Sequence, residues 1–467
     1  MTAFSTLSLP AAFLANLEAL GYKEMTEIQA KALPQVLAGR DVVAQAKTGS
    51  GKTAAFGIGI LQKLNPAFFS VQALVMCPTR ELADQVAQEL RRLARWKPNV
   101  KILTLTGGSP MRPQTASLEH GAHVVVGTPG RIRDHISRRT LDLSRVQTLV
   151  LDEADRMTDM GFYDDMAAIA CECPAARQTL LFSATYQDDI REASAPFLVD
   201  PVEVLAEARH DSTQIDQRFY EIGFGEGERG AAVTRLLKHF RPVSTLAFCN
   251  TKARCREVVE MLAAQGFSAR ALHGEMEQRE RDETLVVFAN RSCSVLVATD
   301  VAARGLDISG LDAVINVDIS KDPEVHVHRV GRTGRAGSTG LALSLCAPNE
   351  KKWVQLIETM QGMPAEWHPL AELDEGEPHV EPAPMRTLVL MGGKRHKLRP
   401  GDVLGALTGD AGLTREQVGK INVFEFSTFV AIERSVAGQA VQRLQSPQAP
   451  GPDFAVVKGR YFKMRFF

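Results

Sequence analysis

Eight residues, Ala46-Lys47-Thr48-Gly49-Ser50-Gly51-Lys52-Thr53, combine glycines, hydroxyls and a lysine in the spacing of a phosphate-binding loop. The glycines let backbone N–H groups turn inward around phosphates at a helix N-terminus, Lys52 faces the β/γ-phosphates, and Thr53 offers a hydroxyl to Mg²⁺. Ala46 stands where such loops usually carry a first glycine, and Thr48-Gly49 supplies the turn instead. A hundred residues on, the apolar run Thr148–Leu151 ends in Asp152-Glu153-Ala154-Asp155. A carboxylate at a strand's end can hold Mg²⁺ through water, and its neighbour can orient and deprotonate an attacking water. These are the candidate roles of Asp152 and Glu153.

Such groups need a sheet to carry them. Apolar runs alternate with amphipathic stretches from about residue 40 to residue 347. One set of strands is expected at Asp41–Ala46, Ala73–Thr79, Ile102–Gly108, Val124–Thr128, Thr148–Asp152, Thr179–Ser183 and Val202–Leu205. A second is expected at Ser244–Asn250, Ala269–His273, Val295–Thr299, Ala313–Val317 and Leu341–Cys346. Strands alternating with helices predict parallel sheets flanked by helices, here in two α/β domains. The polar stretch Glu207–Gln217 reads as the break between them. Prolines and acids fill a second spacer, a composition expected to tether and not to pack. Beyond it the pattern is strand, helix, two strands, helix, strand, the split βαβ order of RNA-recognition modules. The expected domains are 1–206, 215–362, a linker at 363–384, and 385–467.

The companion motifs carry a resemblance. Phe4, Gly21-Tyr22 and Thr26-Glu27-Ile28-Gln29 lie upstream; Pro78-Thr79-Arg80-Glu81-Leu82, Gly107-Gly108, Thr128-Pro129-Gly130-Arg131 and Ser183-Ala184-Thr185 follow. Then come Phe248-Cys249-Asn250-Thr251, Gln278 with Arg281, Ala298-Thr299-Asp300 through Arg304-Gly305-Leu306-Asp307, and His328-Arg329-Val330-Gly331-Arg332-Thr333-Gly334-Arg335. In this order over residues 4–335 the chain resembles the DEAD-box RNA helicases. The resemblance implies two RecA-like domains, ATP and Mg²⁺ as cofactors, and RNA as partner. It places Phe4, Tyr22, Gln29, Ala46, Thr48, Gly49, Ser50, Gly51, Lys52, Thr53 and Asp307 on the nucleotide, with Thr53 and Asp152 on the metal largely through water. Gln29 has the donor and acceptor that match the adenine edge. Lys52, Asp152, Glu153, Arg332 and Arg335 would serve catalysis, the two arginines as fingers from the second domain that ATP must draw in. Thr79, Arg80, Gly108, Thr128, Arg131, Thr251, Arg281 and Thr299 would meet RNA, and Ser183 and Thr185 would couple nucleotide state to the RNA grip.

Charge separates the tail from the rest. The chain has 467 residues, 45% hydrophobic and 23% charged, with net charge −1, as in an ordinary globular protein. Residues 365–384 hold six acids and no Lys or Arg, whereas 385–467 carry a net +7. A basic tail beyond an acidic spacer suggests an anionic partner. Arg399-Pro400-Gly401-Asp402-Val403-Leu404-Gly405-Ala406-Leu407-Thr408-Gly409-Asp410 and Ile421-Asn422-Val423 resemble the C-terminal domain of the DbpA branch, which recognises a hairpin of large-subunit ribosomal RNA. Lys394, Arg395, Lys397 and Arg399 are the expected phosphate contacts there. The strand at Thr428-Phe429-Val430-Ala431 lacks clustered aromatics, so binding by the basic edge is expected over stacking on the sheet face. Seven scattered cysteines fit a reducing compartment, and no apolar run approaches the ~18–20 residues of a membrane span. The expected protein is a cytoplasmic, monomeric ATP-dependent RNA helicase acting on 23S ribosomal RNA in large-subunit precursor particles.

Overall fold

The computed structural model describes residues 2–46, 50–186, 188–206, 215–225, 227–303, 310–334, 340–373, 380–445, 453–457 and 459–467. Thr48, Gly49, Asp307 and Arg335 lie outside them, as do Lys47 and most of Glu207–Gln217.

A short bridge, β1 (Thr2–Ala3) with β2 (Glu24–Met25), precedes the first sheet. That sheet comprises β3 (Val42–Gln45), β4 (Ala73–Met76), β5 (Ile102–Leu105), β6 (Val124–Gly127), β7 (Thr148–Asp152), β8 (Gln178–Ser183) and β9 (Val202–Leu205). Its order is β5-β6-β4-β7-β8-β3-β9, all parallel. Helices cover both faces, so the central strands are apolar throughout, as at Val124-Val125-Val126. The helix Arg80–Leu93 is representative: Thr79 caps it by accepting from Leu82 N, and Val86, Leu90 and Leu93 are buried.

The second sheet repeats the plan with β10 (Ile215–Glu221), β11 (Thr245–Cys249), β12 (Ala269–Leu272), β13 (Val295–Thr299), β14 (Ala313–Asn316), β15 (Gly340–Cys346) and β16 (Trp367–His368). It is parallel in the order β12-β13-β11-β14-β15-β10-β16. Two strands here correct the sequence reading. β10 begins inside the stretch read as a break: Asp216 and Arg218 neutralise each other in an ion pair, while Phe219 and Tyr220 are buried. β16 lies in the spacer read as unpacked; Phe219 N donates to Glu366 O at 2.8 Å, and Leu373 is buried in the second domain's core. The average composition of the spacer is polar, but its few apolar residues act as anchors. Residues 374–379 lie outside the description.

The third sheet is antiparallel: β17 (Met385–Leu390), β18 (Val418–Val423), β19 (Thr428–Glu433), β20 (Phe454–Val457) and β21 (Arg460–Phe466), in the order β18-β19-β17-β21-β20. The edge strand β20 is additional to the four expected. Helix Pro400–Gly405, continued by a π-helical turn Ala406–Asp410, and helix Arg434–Leu444 pack on one face, burying Leu388, Leu390, Val430, Ile432, Phe462 and Met464. The other face rests on the second domain. Asn290 Nδ2 donates to Thr387 Oγ1 at 3.2 Å, Thr387 Oγ1 donates to Ser292 Oγ at 2.8 Å, and Met385 N donates to Arg291 O at 3.2 Å. The spacer's end is fixed too: Arg434 Nε donates to Ala383 O, and Arg434 N to Pro384 O.

Candidate functional site

In an open parallel sheet, ligands bind beyond the carboxyl ends of the strands. The strand order of the first domain sorts its candidates into two halves. β7, β8 and β3 are adjacent and lead into Asp152-Glu153, Ser183-Ala184-Thr185 and the phosphate loop. β5, β6 and β4, also adjacent, lead into Gly108, Thr128-Arg131 and Thr79-Arg80.

Thr26 and Gln29 form a reciprocal cap at the start of helix Glu27–Leu37, with Gln29 Oε1 accepting from Thr26 N at 3.0 Å. The amide's other end, Nε2, donates to Gly51 O at 3.1 Å, tying this turn to the phosphate loop. Gly51 has φ +94°, and a Cβ there would stand 2.4 Å from Gln29 Nε2, so glycine is required twice over. Phe4 meets Tyr22 edge to face at 6.0 Å, and Tyr22 Oη donates to Glu89 Oε1 at 2.6 Å. Burial and Glu89 raise the Tyr22 phenol above its ordinary range.

Lys52 opens helix Lys52–Lys63, is buried, and donates from Nζ to Ala46 O at 2.9 Å. Its charge lies among buried carboxylates. Burial pushes the Asp152 carboxyl up to about 7, opposed by Lys52 and reinforced by Glu153 and Asp155. Glu153 sits in the left-handed region, φ 55° and ψ 53°, and forms a buried ion pair with Arg156 Nη1 at 2.9 Å. A non-glycine residue held in that region stores strain of about 1–3 kcal/mol, a pattern common at reactive positions.

Local spacing gives Asp155 and Arg156 no role; the structure does. Asp155 Oδ2 accepts from Ala184 N and Thr185 N, each at 3.1 Å, and from Thr185 Oγ1 at 3.2 Å, while Asp155 N donates to Ser183 Oγ at 3.4 Å. Burial works against its charge, but Lys52, Arg156 and the Ser183 hydrogen bond hold the carboxyl below its ordinary value. The acidic turn and the Ser183–Thr185 segment are therefore one hydrogen-bonded unit.

On the other half, Gly107 lies so close to Arg80 that a Cβ would be 3.0 Å from Nη2, and Gly108 has φ +75°. Arg131 Nη1 donates to Ser109 O and Gln114 Oε1, both at 2.9 Å. Thr79 and Thr128 occupy the N-cap positions of their helices. Arg80 and Arg131 are thus brought to the same edge as two helix N-termini, a combination suited to phosphates.

In the second domain the candidates gather at the ends of the adjacent strands β11 and β13. Thr251 caps helix Lys252–Ala264, accepting from Arg254 N at 3.2 Å; Arg281 Nη2 donates to Ala302 O at 3.3 Å; Thr299 ends β13. Arg329, 2% exposed, joins three strand ends: it donates to Asp300, to Asn250 Oδ1 at 3.0 Å and to Asp318 O at 2.7 Å. Arg332 follows one turn later and is buried. In the third domain Lys394, Arg395, Lys397 and Arg399 are all exposed, and Arg395 pairs with Glu425 at 2.7 Å.

Three family models match the chain: DEAD/DEAH box helicase over residues 26–193, helicase conserved C-terminal domain over 228–337, and DbpA RNA binding domain over 387–456. The chain is 52% identical over 453 residues to the ATP-dependent RNA helicase DbpA of Escherichia coli, covering 97% of this chain and 98% of that protein. It is 45% identical over 358 residues to the DEAD-box ATP-dependent RNA helicase CshA of Bacillus cereus, covering 77% and 68%. Among solved structures it is similar to S. cerevisiae Dbp5 bound to RNA and ADP BeF3, with TM-score 0.74, 29% identity, and coverage of 80% of this chain and 97% of that one. No described helix is long and apolar enough to cross a membrane. With the glycine-rich loop, the acidic turn and the Thr79–Arg80 and Thr128–Arg131 segments all led into by strands of one sheet, and a relative matched from end to end, the chain belongs to the DEAD-box ATP-dependent RNA helicases of the DbpA type.

Proposed function

We propose that this helicase is targeted to 23S ribosomal RNA through its C-terminal domain and acts on precursors of the large ribosomal subunit as they assemble. The observation that carries this reading is the DbpA RNA binding domain at residues 387–456, which coincides with a folded module exposing Lys394, Arg395, Lys397 and Arg399 on one edge. In the ATP cycle, Phe4, Tyr22 and Gln29 hold the adenine, and the loop from Ala46 to Thr53 with Asp307 holds the rest of the nucleotide. Lys52 neutralises the β/γ-phosphates, Glu153 takes a proton from the attacking water, and Arg332 and Arg335 stabilise the transferring phosphate. The donor set suits Mg²⁺: the Thr53 hydroxyl and the buried Asp152 carboxylate are hard oxygen ligands. When bound, Mg²⁺ would neutralise charge developing on the phosphates. Thr79, Arg80, Gly108, Thr128, Arg131, Thr251, Arg281 and Thr299 grip RNA, with Ser183 and Thr185 coupling the grip to the nucleotide. The protein works as a cytoplasmic monomer.

The test uses the full chain with Lys394, Arg395, Lys397 and Arg399 all changed to Glu, assayed for ATPase stimulation by 23S RNA and by an unrelated RNA of equal length. The preference for 23S RNA should disappear, and the salt slope of binding should shrink by about 0.7–0.9 for each phosphate that is no longer neutralised. A variant that still prefers 23S RNA as strongly as the parent would show that the address lies elsewhere.

A further inference from the structure

The sheet face on which RNA-recognition modules stack bases is closed in this protein. Thr387 pairs with Ala431 and Val389 with Phe429 across β17 and β19, and all four are buried, with Thr387 bonded to Asn290 and Ser292 of the second domain. A base that stacks on this module must find its aromatic ring elsewhere.

Two rings stand ready in the turn between β18 and β19. Phe424 is 38% exposed and Phe426 is 64% exposed, although burying a phenylalanine is worth about 1.5–3 kcal/mol. Single exposed apolar residues are ordinary. Here the turn is bound to the basic loop: Lys394 N donates to Phe424 O at 2.8 Å, Arg395 N to Glu425 O at 3.0 Å, and the Arg395 side chain pairs with Glu425. The contact is close enough that a Cβ on Gly393 would lie 2.2 Å from Phe424 O. Phe424 is braced from behind by Phe429, ring centroids 5.5 Å apart and nearly perpendicular. Rings and cations therefore form one surface. Cations meeting phosphates beside exposed rings meeting bases is the combination that binds single-stranded nucleic acid.

Resting on the reading above that this module binds RNA, we propose that Phe426, with Phe424 beside it, is the stacking platform for an unpaired RNA base whose backbone is held by Lys394 and Lys397. Base–aromatic stacking contributes through the face of the ring and is insensitive to salt, so it separates cleanly from the phosphate contacts.

The experiment measures affinity of the full chain for 23S RNA and an equal-length unrelated RNA at two salt concentrations. Phe426→Ala should weaken 23S binding about tenfold with an unchanged salt slope, whereas Lys397→Ala should flatten the slope. Phe426→Leu, which keeps apolar bulk but has no ring, should lose as much as Phe426→Ala. Phe426→Trp should retain affinity, and its added fluorescence should be quenched by RNA. Unchanged affinity in Phe426→Ala, or full affinity in Phe426→Leu, overturns the proposal. A parent chain without preference for 23S RNA would instead overturn the targeting, and the same variants would then test stacking on whichever RNA the chain binds.

Discussion

Arg329 grips Asp300 with two nitrogens, Nε on Oδ1 at 2.7 Å and Nη2 on Oδ2 at 2.6 Å, in a planar fork at the top of the second sheet, the guanidinium buried and the carboxylate partly exposed. The same guanidinium reaches Asn316 Oδ1 at 3.3 Å, so one side chain fixes the ends of β11, β13 and β14. Arg329→Ala should destabilise the second domain by up to about 3 kcal/mol, because the partly exposed Asp300 loses its counter-charge and Asn250 Oδ1, Asn316 Oδ1 and Asp318 O lose a donor. Arg329→Lys should recover only part, since an ammonium cannot match the fork. The midpoint of urea unfolding measures both.

Glu153 is poised by strain and by its pair with Arg156. Glu153→Gln should bind ATP as the parent does while hydrolysis falls by ~10²–10⁴, because an amide cannot take the proton from water. Fluorescent-nucleotide titration beside phosphate release separates the two effects.

Gly51→Ala should raise the KM for ATP. The new methyl meets Gln29 Nε2, which is held between Thr26 and the loop carbonyl, and the backbone there is left-handed. The left-handed backbone costs about 1–2 kcal/mol of folding stability, and displacing the Gln29 amide weakens ATP binding besides; thermal unfolding and nucleotide titration record the two losses separately.

His326 is fully buried against Phe219, ring centroids 5.9 Å apart, and neither ring nitrogen has a hydrogen-bond partner. Burial, with the charge of Arg329, pushes it down to about 3. A base depressed in the fold is neutral there and protonates more readily when unfolded, so its contribution is present above about pH 6.5 and is lost as pH falls toward 3. The slope approaches about 1.4 kcal/mol per pH unit in that window. His326→Phe should melt like the parent at pH 7.5 and lose less stability at pH 5.5, as thermal unfolding at the two pH values would record.

The parallel sheets are legible because strands buried on both faces read as unbroken apolar runs, as at Leu149-Val150-Leu151. β10 escapes that reading because Asp216 and Arg218 look solvated until they are seen to pair, and β16 because two residues have no period. Lys52 and Asp152 announce themselves by local spacing. Asp155 and Arg329 do not, since what gives them work comes from distant segments: Thr185 lies thirty residues from Asp155, and Asn250 lies 79 from Arg329. The covered sheet face is beyond such reading for the same reason, its key hydrogen bond joining Asn290 to Thr387 across 97 residues.

That bond limits portability. A C-terminal module with its sheet open to water could be transplanted behind any motor and keep its function. This one commits Thr387, Val389 and Phe429 to a buried seam, so a graft onto a foreign helicase core would expose the apolar side chains of Val389 and Phe429 to water. The core that receives it would have to offer a seat like that of Asn290–Ser292, where Thr387 and Met385 are bonded here.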